Sequence, residues 1–130
     1  MTTYKKILAV DFGTVRIGLA ISRASLAEPL SVIPNNEDAV NQIAAICQAE
    51  GIEELVVGLS ENTMAELTKQ FAAKLQAETN LPLEFADETL SSYDAHQHLK
   101  QTGKTKPNQR SIVDSLAAAG FLQEYLDTQS

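Results

Sequence analysis

Three short apolar runs crowd into the first 33 residues before any helical period begins, and this order constrains the fold more than any other feature of the chain. Lys6 to Val10 (KILAV), Arg16 to Ser22 (RIGLAIS) and Pro29 to Ile33 (PLSVI) each have strand length. Gly13 and Thr14 leave only a close turn between the first two, so these pair as an antiparallel hairpin. The period then changes. Val40, Ile43, Ala44 and Cys47 recur at helical spacing, with Asn36 as N-cap, Glu37 and Asp38 in the dipole-favoured first turn, and Gly51 as the stop.

Glu54 to Leu59 (ELVVGL) reads as a buried strand, Met64, Leu67, Phe71 and Leu75 as a second helical stripe, and Leu83 to Asp87 as a fifth strand. Ser91 with Asp94 resembles a capping box that opens a helix to about Thr102, which Gly103 to Pro107 breaks. A last helix from about Gln109 to Leu126 carries Ile112, Leu116, Ala119, Leu122 and Leu126 at core spacing. Strand-helix-strand units require parallel strands with right-handed crossovers, whereas the opening runs form an antiparallel meander. The expectation is an α/β domain over residues 1–130 with a five-stranded mixed sheet flanked by helices. If the fourth strand lies beside the first, both end on the edge where open α/β sheets gather their ligands.

The 130 residues suffice for one real core, and 44% hydrophobic content is ordinary for a globular domain. No apolar run approaches the roughly 20 residues of a membrane helix, and the four-residue stretch before Asp11 is too short for a secretory signal. The expected location is cytoplasmic. A lone Cys47 agrees with a reducing compartment and reads as a core thiol. A net charge of −7 excludes a protein that coats nucleic acid through general basicity. Four of the 10 basic residues nevertheless lie between Lys100 and Arg110 with no acid among them, leaving 6 against 17 acids elsewhere. A local basic rim and a plain solvated loop both fit that run.

Three acids can reach the carboxyl edge of such a sheet: Asp11 at the end of the first strand, Glu88 after the fifth, and Asp114 near the start of the last helix. Asp114 is the oddest, because Ile112, Val113, Leu116 and Ala117 around it are apolar. Three converging carboxylates repel one another unless a divalent cation sits between them, and oxygen-only ligation suits Mg²⁺ or Mn²⁺. Two such ions can activate a water and stabilise the leaving oxygen in phosphodiester cleavage. Each acid also has a plainer role open to it. Asp11 can bond the amides of its own turn, Glu88 can sit at a helix N-terminus, and Asp114 can lie on an exposed stripe.

DFGTVRIGLAIS, VVGL, DETLSS and VDSLAAAGFLQEYL, in this order, resemble the YqgF family of pre-16S ribosomal RNA nucleases and Holliday junction resolvases. The resemblance spans nearly the whole chain and is most specific at Asp11, Gly13, Thr14, Arg16, Ile17 and Gly18. It implies a ribonuclease H-like fold with sheet order 3-2-1-4-5, and a metal-binding, catalytic triad of Asp11, Glu88 and Asp114. It also implies Thr14 and Arg16 near the substrate phosphate, and structured RNA or branched DNA as substrate.

The chain departs from the family pattern in two places. The loop after Leu59 is shortened and carries Ser60 and Glu61 before Asn62, and the family's Asp-Glu-Arg is Asp87, Glu88, Thr89 here. Arg110 and Lys106 are the basic residues available to replace the missing arginine, and Glu61 is an additional candidate carboxylate. His96 and His98 project about 200° apart on a helix and cannot form the i, i+4 pair used for zinc. An Asp-x-Gly-Thr segment also opens the actin-like ATPases, but those need a second domain that 130 residues cannot supply. The expected function is a metal-dependent nuclease acting on structured nucleic acid in pre-16S ribosomal RNA processing; the alternatives are a Holliday junction resolvase and a non-catalytic nucleic-acid or protein-binding module of the same fold. Symmetric cutting of two strands would ask for a homodimer.

Overall fold

A computed structural model describes residues 5–59, 64–87 and 107–129. Strands β1 (Ile7–Phe12), β2 (Arg16–Arg23) and β3 (Leu26–Pro34) precede helix α1 (Ala39–Glu50). Then come β4 (Glu54–Leu59), α2 (Met64–Thr79), β5 (Leu83–Asp87) and a long α3 (Pro107–Gln129). The five strands form one sheet in the order β3-β2-β1-β4-β5. β1 to β3 are an antiparallel meander, while β1, β4 and β5 run parallel, with Val10 beside Val57 and Leu59 beside Asp87. This is the ribonuclease H-like order that the family resemblance implies.

Strand alternation sorts the core into two faces. Leu8, Val10, Ile17, Leu19, Ile21, Leu55 and Val57 face α1 and α2 and meet Ile43, Cys47, Phe71 and Leu75 there. Ile7, Ala9, Ala20 and Val56 face α3 and meet Ala118, Phe121, Leu122 and Leu126. The α3 face is paved with small residues, so the helix approaches through its alanines, and Leu116 is turned to the flank with 39% of its surface exposed. The expected stripe of Ile112, Leu116, Ala119, Leu122 and Leu126 is therefore right at Leu122 and Leu126 and displaced at Leu116.

Two other local expectations shift for similar reasons. In α2 the buried stripe is Thr68, Phe71, Ala72 and Leu75, and Leu67 is 48% exposed, because two small residues let the helix pack against α1 and the sheet. Asn36 is not the cap of α1. Its Oδ1 accepts from the Asp38 amide at 2.9 Å, closing an Asx turn of its own, and the helix starts only at Ala39 with Asp38 as N-cap. Glu37 and Asp38 thus precede the first turn. Gly51 does end α1, in the left-handed conformation at φ 68°, with its amide bonded to the Cys47 carbonyl. The expected helix from Ser91 to Thr102, with His96 and His98, lies outside the described residues, as do Glu61, Glu88, Thr89 and Lys106.

Candidate functional site

Asp11 occupies the penultimate position of β1, one residue further inside the strand than its sequence suggests, and is half-buried. Alternation from Ile7 and Ala9 puts it on the α3 face. Its antiparallel partner on β2 is Gly18. On the other side, one step past the last parallel pair of Val10 and Val57, β4 continues with Gly58. Both glycines are buried. The two sheet positions that flank Asp11 on its own face therefore carry no side chain, and the sheet itself places none beside its carboxylate.

Arg16 shares this face. It opens β2 two residues before Gly18, and alternation through Gly18 and Ala20 places it with Asp11 on the α3 side. Thr14 lies in the turn between them and is exposed.

The direction of α3 decides what else reaches this edge. At its C-terminal end Tyr125 donates its hydroxyl to Oε2 of Glu54, the first residue of β4, at 2.8 Å. Gln123 donates to the Ser25 carbonyl and accepts from the Ala27 amide, both at 2.9 Å, at the hairpin between β2 and β3. Both anchors lie where β1 and β4 begin, so α3 runs antiparallel to those strands and its N-terminal half lies toward their carboxyl ends. Asp114 precedes Tyr125 by eleven residues, about 16 Å of helix. Leu59 follows Glu54 by five residues, about 16 Å of strand. Position 114 is thus level with the carboxyl end of β4, on the helical stripe that continues through Ala118, Phe121 and Tyr125. Position 110 lies one turn further toward the edge on the same stripe.

The side chains of residues 107–114 lie outside those described, and so does all of Glu88, whose chain neighbour Asp87 ends β5 beside Leu59. Among the described residues no three His, Cys, Asp or Glu side chains gather. Backbone topology thus directs β1, β4, β5 and the first half of α3 to one edge, and Asp11, Thr14 and Arg16 are the candidate residues there whose side chains are described. Three contributors were not placed at the site by sequence reasoning, although Gly18 belongs to the block that carries the resemblance. Gly18 and Gly58, in strand interiors where glycine is unfavourable, carried a signal of close approach. Asn35 joins the site by donating its side-chain amide to the Gly13 carbonyl at 2.6 Å, and only the fold brings those residues together.

The family model described as Holliday junction resolvase, RuvX, matches residues 5–128. This chain belongs to the RuvX family. The resemblance to YqgF proteins is borne out by the same match and by relatives of nearly equal length. A protein of Methylobacillus flagellatus named "Putative pre-16S rRNA nuclease" is 38% identical, with 93% of this chain and 90% of that protein aligned. One of the same name from Thermosynechococcus vestitus is 37% identical over 95% of this chain and 89% of its own length. Among solved structures, T. thermophilus RuvC in complex with a Holliday junction substrate aligns with a TM-score of 0.60 at 16% identity, over 97% of this chain and 96% of that one. At that identity the likeness establishes that the RuvX chain shares the RuvC fold.

Proposed function

We propose that this RuvX-family chain is a metal-dependent endonuclease that hydrolyses phosphodiester bonds in structured nucleic acid, with precursor 16S ribosomal RNA as its first substrate. The observation that carries the reading is Asp11: a half-buried carboxylate at the ligand edge, flanked by Gly18 and Gly58, on the face covered by the helix that bears Asp114. An acid serving only its own turn would need no such clearing. The names of the relatives support the choice of RNA.

The donor set suits the implied metal. Asp11, Glu88 and Asp114 offer carboxylate oxygens only, the ligation Mg²⁺ and Mn²⁺ prefer, and the glycines leave room beside Asp11. These three residues would hold the ion. When bound, it supplies a water of lowered pKa and stabilises charge on the leaving oxygen. The chain's own contribution is positioning. β1 fixes the Asp11 carboxylate from within the sheet, Arg16 brings positive charge to the same face for a substrate phosphate, and exposed Thr14 offers a hydroxyl as a phosphate donor. Arg110, a turn ahead of Asp114, is the basic residue assigned to the role of the absent arginine at position 89. The net reaction adds water across one P–O ester bond, leaving a phosphate monoester and a hydroxyl.

The family description favours a second substrate, the four-way DNA junction, for which a homodimer would supply two symmetric cuts. A reducing, cytoplasmic setting accords with the free, buried Cys47. The test is cleavage of a precursor 16S rRNA fragment and a four-way DNA junction in Mg²⁺ and in Mn²⁺, comparing wild type with Asp11→Asn and Asp114→Asn. Cleavage by wild type alone, with all three proteins folded by circular dichroism, supports the proposal and selects the substrate. Equal cleavage by the variants overturns the site. Silence of a folded wild type on both substrates leaves a binding module in its place.

A further inference from the structure

The turn that follows Asp11 is held from the end of β3 by the residue just beyond it. Asn35, the first residue after β3, donates Nδ2 to the Gly13 carbonyl at 2.6 Å, and its backbone amide donates to the Val15 carbonyl at 2.9 Å. One residue thus ties both ends of the Gly13–Val15 turn. Gly13 makes the turn tighter still, because a Cβ there would run into the backbone carbonyl oxygen of Arg16. Immediately after Asn35, the Asx turn of Asn36 fixes the chain that enters α1.

What this clamp holds in place is exposed. Thr14 faces solvent, and Val15 has 67% of its surface exposed, the highest of the large apolar residues on the described surface. Hairpin turns that serve only to reverse the chain are met by Asn-Gly or Gly-rich pairs and need no external donor. Here two hydrogen bonds from the residue that follows β3 hold a tip that carries a hydroxyl and a β-branched apolar side chain between Asp11 and Arg16. A contact surface held rigid before binding spares the ordering cost that a mobile loop incurs.

We propose that Asn35 is a positioning residue that presents Thr14 and Val15 as a rigid substrate contact, the hydroxyl toward a phosphate and the valine against an apolar sugar or base face of the nucleic acid. This rests on the nuclease reading. Asparagine suits the task because it combines a short side chain with an N–H donor, which aspartate and leucine of similar shape lack.

The experiment measures kcat and KM on whichever of the precursor 16S rRNA fragment and the four-way DNA junction the wild type cleaves. It also measures the Kd of that nucleic acid in a non-cleaving Asp11→Asn background. Asn35→Ala, Val15→Ser and their combination are compared, with melting curves for each. Each single variant should raise KM and Kd about three- to tenfold, the span of one lost neutral contact, with kcat within about twofold. The double variant should lose little more than the worse single, since Asn35 acts through the turn that carries Val15. Unchanged KM and Kd in both single variants, or fully additive losses, would overturn the inference while leaving the nuclease reading intact. A folded wild type that neither cleaves nor binds either nucleic acid overturns both.

Discussion

Tyr125 donates its hydroxyl to a glutamate, Glu54, that is only 7% exposed at the start of β4. This bond fastens the C-terminal end of α3 to the edge opposite the candidate site, and so sets which residues of the helix reach the strands' carboxyl ends. It also marks the tyrosine itself. Burial, the hydrogen bond to Glu54 and the negative charges of Glu54 and Glu84 push the Tyr125 hydroxyl well above its ordinary range. Tyr125→Phe removes the donor and leaves a buried carboxylate one bond short, at a cost of about 1–3 kcal/mol. The melting temperature should fall by several degrees. Glu54→Gln keeps an acceptor for the hydroxyl and should cost less. Thermal unfolding of the two variants checks the order.

Gly13 and Gly51 separate two uses of glycine and give a paired prediction. At Gly51 the backbone is left-handed, φ 68°, with nothing within 4 Å of a Cβ, so alanine meets only conformational strain of about 1 kcal/mol. At Gly13 the added methyl group meets the Arg16 carbonyl, which belongs to the first residue of β2 and cannot swing aside as a side-chain tip can. Gly13→Ala should therefore destabilise by about 1–3 kcal/mol and loosen the turn, more than Gly51→Ala does. Urea denaturation midpoints measured side by side decide the order.

The sheet was legible because its signals are local. ELVVGL and LPLEFAD carry their strand lengths between helical stripes, and the turn at Gly13 and Thr14 forces the first pairing, so the element order gives a mixed sheet, while the observed strand order is the one the family resemblance implies. Helix phase was less legible. Leu67 and Leu116 fit a 3.6-residue period yet face outward, because the packing partner decides which stripe a helix buries, and here Ala72, Ala117 and Ala118 allow closer approach than leucine. At the candidate site Asp11 announced itself by chemistry. Asn35 did not, since its partner Gly13 lies 22 residues away and only the β2–β3 pairing brings them together.

Cys47 lines a cavity of about 280 Å³ between the C-terminal ends of α1 and α2, together with Ile52, Thr79 and Leu81. Burial pushes its thiol up to about 11, above the roughly 8.5 of an unfolded cysteine. A raised folded pKa means the neutral thiol is favoured in the fold. Its stability contribution is complete below about pH 8.5 and is lost as the pH rises toward 11. Stability of the wild type should decline across that window, and Cys47→Ala should flatten the decline. Urea midpoints at pH 7, 9 and 10.5 supply the comparison, and identical slopes for the two proteins would mean that this thiol does not govern it.

Gly58 gives the sharpest handle on the site, because it is a position where structure and chemistry predict opposite signs. By intrinsic preference an alanine in a strand should be no worse than glycine, and the unfolded chain loses entropy with it, which favours the fold. On the α3 face beside Asp11, however, the new methyl group enters the clearing that Gly18 and Gly58 leave around the carboxylate. If that clearing exists for a metal ion and a substrate phosphate, Gly58→Ala should lower cleavage by at least about tenfold, some 1.4 kcal/mol of barrier, with kcat falling and the melting temperature little changed. If the glycine serves only to let α3 approach, the melting temperature falls first and the activity of the protein that remains folded is preserved. Steady-state kinetics and a melting curve on the one variant separate the two.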